Sequence, residues 1–233
     1  MNSSLSPAMV VLLVWNLLSQ SKACAAEAGT WNWTAASPES QGLAASRLES
    51  LWSGLETRRT TALLVIRNDR IVFERYAGTN TAGTKHYTAS MAKALVGGVS
   101  LAIALTDGRM ALDHRAGQYV VQWADDPAKS KITIRQLGSH TSGLADAEQG
   151  GLPHEKLTGW PGDFWKRLPP PNDPFTISRD KTPVVFTPGT GFQYSNPGMA
   201  MLGYAITAAL KDAPQRDLRV LLRERIMRPI GVP

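Results

Sequence analysis

The sequence predicts an α/β fold of the α+β type: an antiparallel hairpin followed by a succession of helices, in one large domain. Three observations carry this. Two β-rich runs, 61–67 and 70–76, are separated by Asn68-Asp69, a dipeptide suited to a tight turn. Segments 43–55, 90–105 and 197–210 carry apolar residues at helical spacing. Hydrophobic residues make up 43% of the 233 and charged residues 19%, which is globular usage and excludes disorder for most of the chain. The 20 glycines and 15 prolines follow no period, so a collagen-like or low-complexity chain is excluded as well.

The elements follow in order. Residues 8–18 form an apolar run of signal-peptide length, too short to span a bilayer, and Ala23-Cys24-Ala25 supplies a small-x-small cleavage pattern. The expected organisation is a signal peptide over 1–25 and one domain over 26–233, periplasmic or secreted, with no stable membrane span after cleavage. The segment before the run has no Lys or Arg. Cys24 is the single cysteine, so no disulfide can form within the chain and no multi-cysteine zinc site exists. A lipid anchor on Cys24 is disfavoured by Ser21 and Lys22, where apolar residues are expected.

Residues 31–40 read as a polar lead-in, and Pro38, Glu39 and Ser40 precede the helix over 43–55. The hairpin follows, closed by Gly78. The helix over 90–105 ends at Asp107-Gly108; Gly97 and Gly98 inside it point to close packing against a neighbour. A short helix is expected near 134–137, then the loop from Ser139 to Leu144. Periodicity fades over 146–191, where Pro169, Pro170, Pro171 and Pro174 read as helix breakers. A loop of that length in a compact domain reads as a lid or cleft wall. Helices return over 197–210 and, basic and amphipathic, over 217–228.

A serine hydroxyl needs a group to take its proton before it can act as a nucleophile. Ser-x-x-Lys on a helix places a lysine one turn from a serine. The pattern occurs at Ser19/Lys22, Ser90/Lys93 and Ser178/Lys181. The first falls in the signal segment and the third in a polar stretch where no helix is expected. Ser90/Lys93 opens an apolar, buried-looking helix, where the first-turn N–H groups favour a developing anion and burial favours a neutral lysine. A second candidate is Tyr194-Ser195-Asn196 between two turns, which can send Tyr194 and Asn196 to one side. Taken alone, a loop tyrosine is a packing residue. His86, His114 and His154 show no metal spacing, and no metal site or cofactor is expected.

In this order the hairpin, Ser90-Met91-Ala92-Lys93, Asp107-Gly108 with Leu112-Asp113, Ile132 to Arg135, the His140 loop and Tyr194-Ser195-Asn196 resemble the serine β-lactamase superfamily, in its class C, esterase and penicillin-binding-protein-like branch. The likeness runs from about Trp33 to Pro229. It implies a β-lactamase/transpeptidase-like fold, with an antiparallel sheet flanked by helices and a mainly helical subdomain. It implies Ser90 as acylated nucleophile, Lys93 and Tyr194 as base or proton shuttle in an order left open, and Asn196 as holder of the substrate amide, with the Ser90 N–H as one oxyanion donor. His140 reads as structural. The superfamily's third motif, Lys-Thr/Ser-Gly or His-x-Gly, is not found: Lys181-Thr182-Pro183 does not match it. The sheet is therefore expected to be incomplete here and the domain C-terminally truncated. The implied activity is hydrolysis of an amide, β-lactam or ester, with an esterase, a D-amino-acid peptidase or a non-catalytic penicillin- or peptidoglycan-binding module as alternatives. The substrate so implied is a small molecule or peptidoglycan-like; the net charge of +6 argues weakly for an anionic partner such as a cell-wall polymer and hardly at all for nucleic acid.

Overall fold

The computed structural model describes residues 33–232; the expected signal segment 1–25, with Cys24, lies outside the described residues. Two compact units form, 33–85 with Pro229–Val232, and His86–Arg228.

In the first unit, β2 (Ala62–Arg67) and β3 (Arg70–Tyr76) make the expected antiparallel hairpin, with Val65 opposite Phe73 and a bulge between Val65 and Ile66. Asn68 and Asp69 have φ of 50° and 57°, so the turn is of the mirror-image kind whose twist suits a hairpin, built here without glycine. The polar lead-in holds a strand that its composition does not reveal. β1 (Thr34–Ala35) pairs in parallel with β3, so the sheet is mixed, in the order β1-β3-β2. Two residues are too few to display an alternation. Helix α1 (Ala45–Glu56) buries Trp52 and leaves Leu51 exposed. Its Ala44 cap has no side-chain acceptor, and Glu39 Oε1 instead accepts the Ala45 N–H at 3.0 Å. That bond holds the Glu39 carboxyl below its ordinary value, as expected for an anion at a helix N-terminus.

The second unit is helical. It contains α2 (Val99–Thr106), α3 (Ile134–Gly138), α4 (Gly159–Lys166), α5 (Pro174–Asp180), α6 (Asn196–Ala209) and α7 (Leu218–Leu222). α6 packs against α2, α3, α5 and α7. Its buried Met201, Leu202, Ala205 and Ile206 meet Ile134, Leu137, Leu144 and Leu221 in the main core. Each fully buried Leu or Ile contributes roughly 1.5–3 kcal/mol. α3 starts in a capping box between Thr133 and Gln136. The basic helix near the end is α7 followed by a π-helical turn, Arg223–Met227, with Leu221 and Leu222 buried and Arg225 paired with Asp107 at 2.9 Å.

The region read as one long loop instead contains α4 and α5. Pro174 is the first residue of α5, where its missing N–H costs nothing, and Asp173 caps the Phe175 and Thr176 N–H groups. Pro161 likewise lies in the first turn of α4. At the other end of α5 the Arg179 carbonyl accepts from Trp123 Nε1 (2.9 Å) and from the buried Lys129 Nζ (2.7 Å), whose desolvation lowers its pKa. Among the described residues no helix is long and apolar enough to cross a membrane.

Candidate active site

Three consecutive tight turns lead into the Ser90 helix. Thr88, Ala89 and Ser90 carbonyls accept from Met91, Ala92 and Lys93 N–H groups at 3.0–3.1 Å. Bonding between residues three apart eclipses side chains i and i+3, and this brings Lys93 over Ser90. The chain then widens into a π-helical segment, Lys93–Gly98, before α2. Ala89, directly before Ser90, is in the left-handed region at φ 45°, a conformation that costs an L-residue roughly 1–2 kcal/mol. Gly97 lies against α6: a Cβ there would meet Met199 Cε at 2.9 Å, the close packing its sequence position suggests.

The expected burial of this helix does not hold at its start. Ser90, Met91, Leu95 and Val96 are exposed and Lys93 is half-buried; full burial starts at Ser100 and Ala104. The segment is apolar on all sides, so its pattern cannot tell which turns are covered.

The other half of the site hangs on two loops held together by backbone bonds. Gly189 N–H donates to Thr141, Val185 N–H to Gly143, Ala145 N–H to Pro183 and Gln193 N–H to His140, all at 2.8–3.0 Å. The pairing leads Tyr194 and Asn196 into the start of α6. Ser195 between them is buried as the helix cap, its Oγ accepting the Gly198 N–H (2.9 Å) and donating to the Ala145 carbonyl (3.1 Å). Its two neighbours are thereby sent to the opposite side, toward Ser90.

The four residues singled out by sequence meet there. Lys93 Nζ lies 2.9 Å from Ser90 Oγ and 2.7 Å from Asn196 Oδ1, and the Tyr194 hydroxyl lies 2.6 Å from Ser90 Oγ. Lys93 Nζ also sits 4.8 Å from the centroid of the Tyr194 ring. Both Lys93 Nζ and the Tyr194 hydroxyl donate to Ser90 Oγ, so two groups able to carry a proton stand against that oxygen. A cavity of about 370 Å³ opens beside Lys93 and Asn196, walled by Phe164, Trp165, Phe175 and Met199.

Two residues not assigned to the site by sequence belong to it. The His140 ring stacks on Tyr194 with centroids 4.6 Å apart, and its Nδ1 accepts the Ser195 N–H at 3.1 Å. Burial first and Lys93 second push its pKa down, with Asp146 opposing. Asp146 Oδ1 accepts from the Asn196 N–H (2.8 Å), the Asn196 Nδ2 (3.0 Å) and the Ala147 N–H (2.8 Å). No residue pattern marks Asp146, which lies 50 positions from its partner. The rival Ser178 does lie on a helix, α5, contrary to expectation. It is fully buried and its Oγ donates to the Pro174 carbonyl at 2.6 Å.

The family model for beta-lactamase matches residues 48–233. The chain belongs to the beta-lactamase family. A relative named "Putative D-alanyl-D-alanine carboxypeptidase" from Escherichia coli strain K12 is 24% identical over 85% of this chain and 49% of its own length. The D-alanyl-D-alanine-carboxypeptidase/endopeptidase AmpH of the same organism is 26% identical over 73% of this chain and 43% of its own. Among solved structures, the "Putative 6-aminohexanoate-dimer hydrolase from Bacillus anthracis" superposes with a TM-score of 0.61 at 22% identity, covering 76% of this chain and 46% of that one. The chain therefore spans about half the length of the relatives it matches. The structural likeness bears on the fold alone: this beta-lactamase family member shares the fold of that solved structure over the part that is covered.

Proposed function

We propose that the chain carries the acylating centre of an exported serine hydrolase, with Ser90 as nucleophile. The observation that carries this reading is the convergence of Lys93 Nζ and the Tyr194 hydroxyl on Ser90 Oγ, at 2.9 and 2.6 Å. Ser90 passes its proton to Lys93 or Tyr194 as Oγ bonds to the substrate carbonyl carbon. The carbonyl C–N or C–O bond then breaks, and the leaving nitrogen or oxygen takes up the proton. Water attacks the resulting ester, gives a proton back through the same pair, and frees Ser90. Asn196 has one Nδ2–H beyond that given to Asp146, and donates it to the substrate's amide carbonyl.

The substrate is an amide, β-lactam or ester. The two relatives named as D-alanyl-D-alanine carboxypeptidases favour a D-amino-acid peptide, and the cavity beside Lys93 and Asn196 gives it room. Residues 1–25 are read as a cleaved signal, so N-terminal sequencing of exported protein is expected to start at Ala26.

The test is labelling of the full chain with a fluorophosphonate and with a fluorescent penicillin. Ser90→Ala is expected to abolish both, and Ser178→Ala to leave both intact. Labelling of Ser90→Ala at the wild-type rate overturns the assignment. Labelling by the penicillin without turnover of nitrocefin, a p-nitrophenyl ester or a D-alanyl-D-alanine peptide favours the binding-module alternative.

A further inference from the structure

We infer that Asp146 is a positioning residue for the Ser90 centre, acting through the side-chain amide of Asn196; this rests on the proposed role of Ser90 and Lys93. An asparagine amide has an acceptor end and a donor end of nearly equal shape, and only its hydrogen-bond partners decide which faces where. At Asn196 the decision is made by Asp146. Its Oδ1 takes the Nδ2–H at 3.0 Å, which turns Oδ1 of Asn196 toward Lys93 Nζ at 2.7 Å. A carboxylate oxygen accepts only, so the reversed amide would set two oxygens against each other and two nitrogens against each other.

The same Asp146 oxygen also takes the Asn196 backbone N–H at 2.8 Å, an N–H at the first residue of α6 with no partner inside the helix. The Ala147 N–H at 2.8 Å holds the carboxylate itself in place. One oxygen thus fixes both the backbone and the side chain of Asn196. The chain of contacts runs Asp146, Asn196, Lys93, Ser90. Without the carboxylate, the amide is free to rotate, and the oxygen that fixes Lys93 Nζ near Ser90 Oγ is no longer held there. Asp146 bonds to Asn196 and Ala147 and not to Ser90; it sets where the lysine amine points.

A double-mutant cycle on the full chain tests this, read as the second-order rate of fluorophosphonate labelling with a thermal melt of each variant. Asp146→Ala is expected to slow labelling about tenfold or more when Asn196 is present, and at least threefold less than that in an Asn196→Ala background, where only the bond from the backbone N–H of residue 196 is left to lose. Asp146→Asn keeps an acceptor oxygen without the charge and is expected to cost less than Asp146→Ala, again mainly where Asn196 is present. An equal loss in both backgrounds with either substitution, or no loss with Asp146→Ala, overturns the inference. Should Asp146→Ala fail to melt cooperatively, the cycle with Asp146→Asn decides by the same criterion. Wild-type labelling that survives Ser90→Ala is a separate outcome: it removes the Ser90 reading itself.

Discussion

The imidazole of His140 lies flat against the phenol of Tyr194, centroids 4.6 Å apart, while its Nδ1 accepts the Ser195 N–H at 3.1 Å. That bond requires an unprotonated Nδ1, so the ring must be neutral with its hydrogen on Nε2. Burial and Lys93 favour the same neutral form. In the unfolded chain the ring titrates near 6.5; in the folded chain it titrates lower. Between the two values the unfolded state binds more protons, so the stability is complete above about pH 6.5 and is lost as pH falls through the folded value. Wild-type melting temperature and labelling rate are both expected to drop on acidification from pH 7 toward pH 5. His140→Phe keeps a ring beneath Tyr194 and has nothing to titrate, so its melting temperature is expected to vary less over that window. Equal acid sensitivity in both proteins contradicts the assignment.

Lys93 and Tyr194 both reach Ser90 Oγ, and their removal separates shared from individual work. Groups that act as one unit are strongly non-additive. Lys93→Ala is expected to reduce labelling nearly as far as Ser90→Ala. Tyr194→Phe keeps the ring against His140 and loses only the hydroxyl, and a proton carrier's loss costs roughly 10²–10⁴ in rate. The effect is expected in kcat for a p-nitrophenyl ester rather than in KM. A Tyr194→Phe protein with wild-type kcat reduces Tyr194 to a packing residue.

What the sequence made legible follows distance along the chain. Ser90 and Lys93 are three positions apart, and a single turn suffices to join them. Tyr194 and Asn196 share one turn segment, and the superfamily resemblance tied them to Ser90 across more than a hundred residues. Asp146 has no such mark: one aspartate in a loop is indistinguishable from any other until Val185 and Gly143 pair and bring the two loops together. α5 was hidden because Pro174 reads as a breaker when its neighbour is unknown, yet after Asp173 it starts a helix. β1 was hidden because a two-residue strand is specified by its partner, Arg70 and Ile71, and not by its own alternation.

The hairpin turn offers a stability test away from the site. Asn68 and Asp69 both adopt positive φ, and a left-handed L-residue carries a cost that glycine does not. Asp69→Gly gives Asn-Gly, the pair best suited to this turn. After the added chain entropy of glycine is offset, a gain of roughly 0.5 kcal/mol is expected. Thermal melts read it, with fluorophosphonate labelling unchanged; a lower melting temperature contradicts the turn geometry.

Gly143 bears most directly on how the two loops hold the site. Its φ is 79°, in the left-handed region, and a Cβ built on it would fall 2.2 Å from the Phe186 carbonyl oxygen. That neighbour is backbone, so no rotamer change can relieve the contact. The Gly143 carbonyl also receives the Val185 N–H at 2.8 Å, one rung above the bond from Ala145 to Pro183. Pushing Phe186 away therefore strains the pairing that carries residues 187–196 to Ser90. Gly143→Ala combines a left-handed penalty with overpacking, together roughly 3 kcal/mol. A lower melting temperature is expected, and labelling of the fraction that remains folded is expected to fall as well, because Tyr194 and Asn196 are carried by the displaced loop. Gly150 makes a matched control: its φ is 53° and nothing lies within 4 Å of a Cβ there, so Gly150→Ala meets the backbone penalty without the clash. Gly143→Ala that melts and labels like Gly150→Ala would mean that the two loops do not hold Tyr194 in place through this contact.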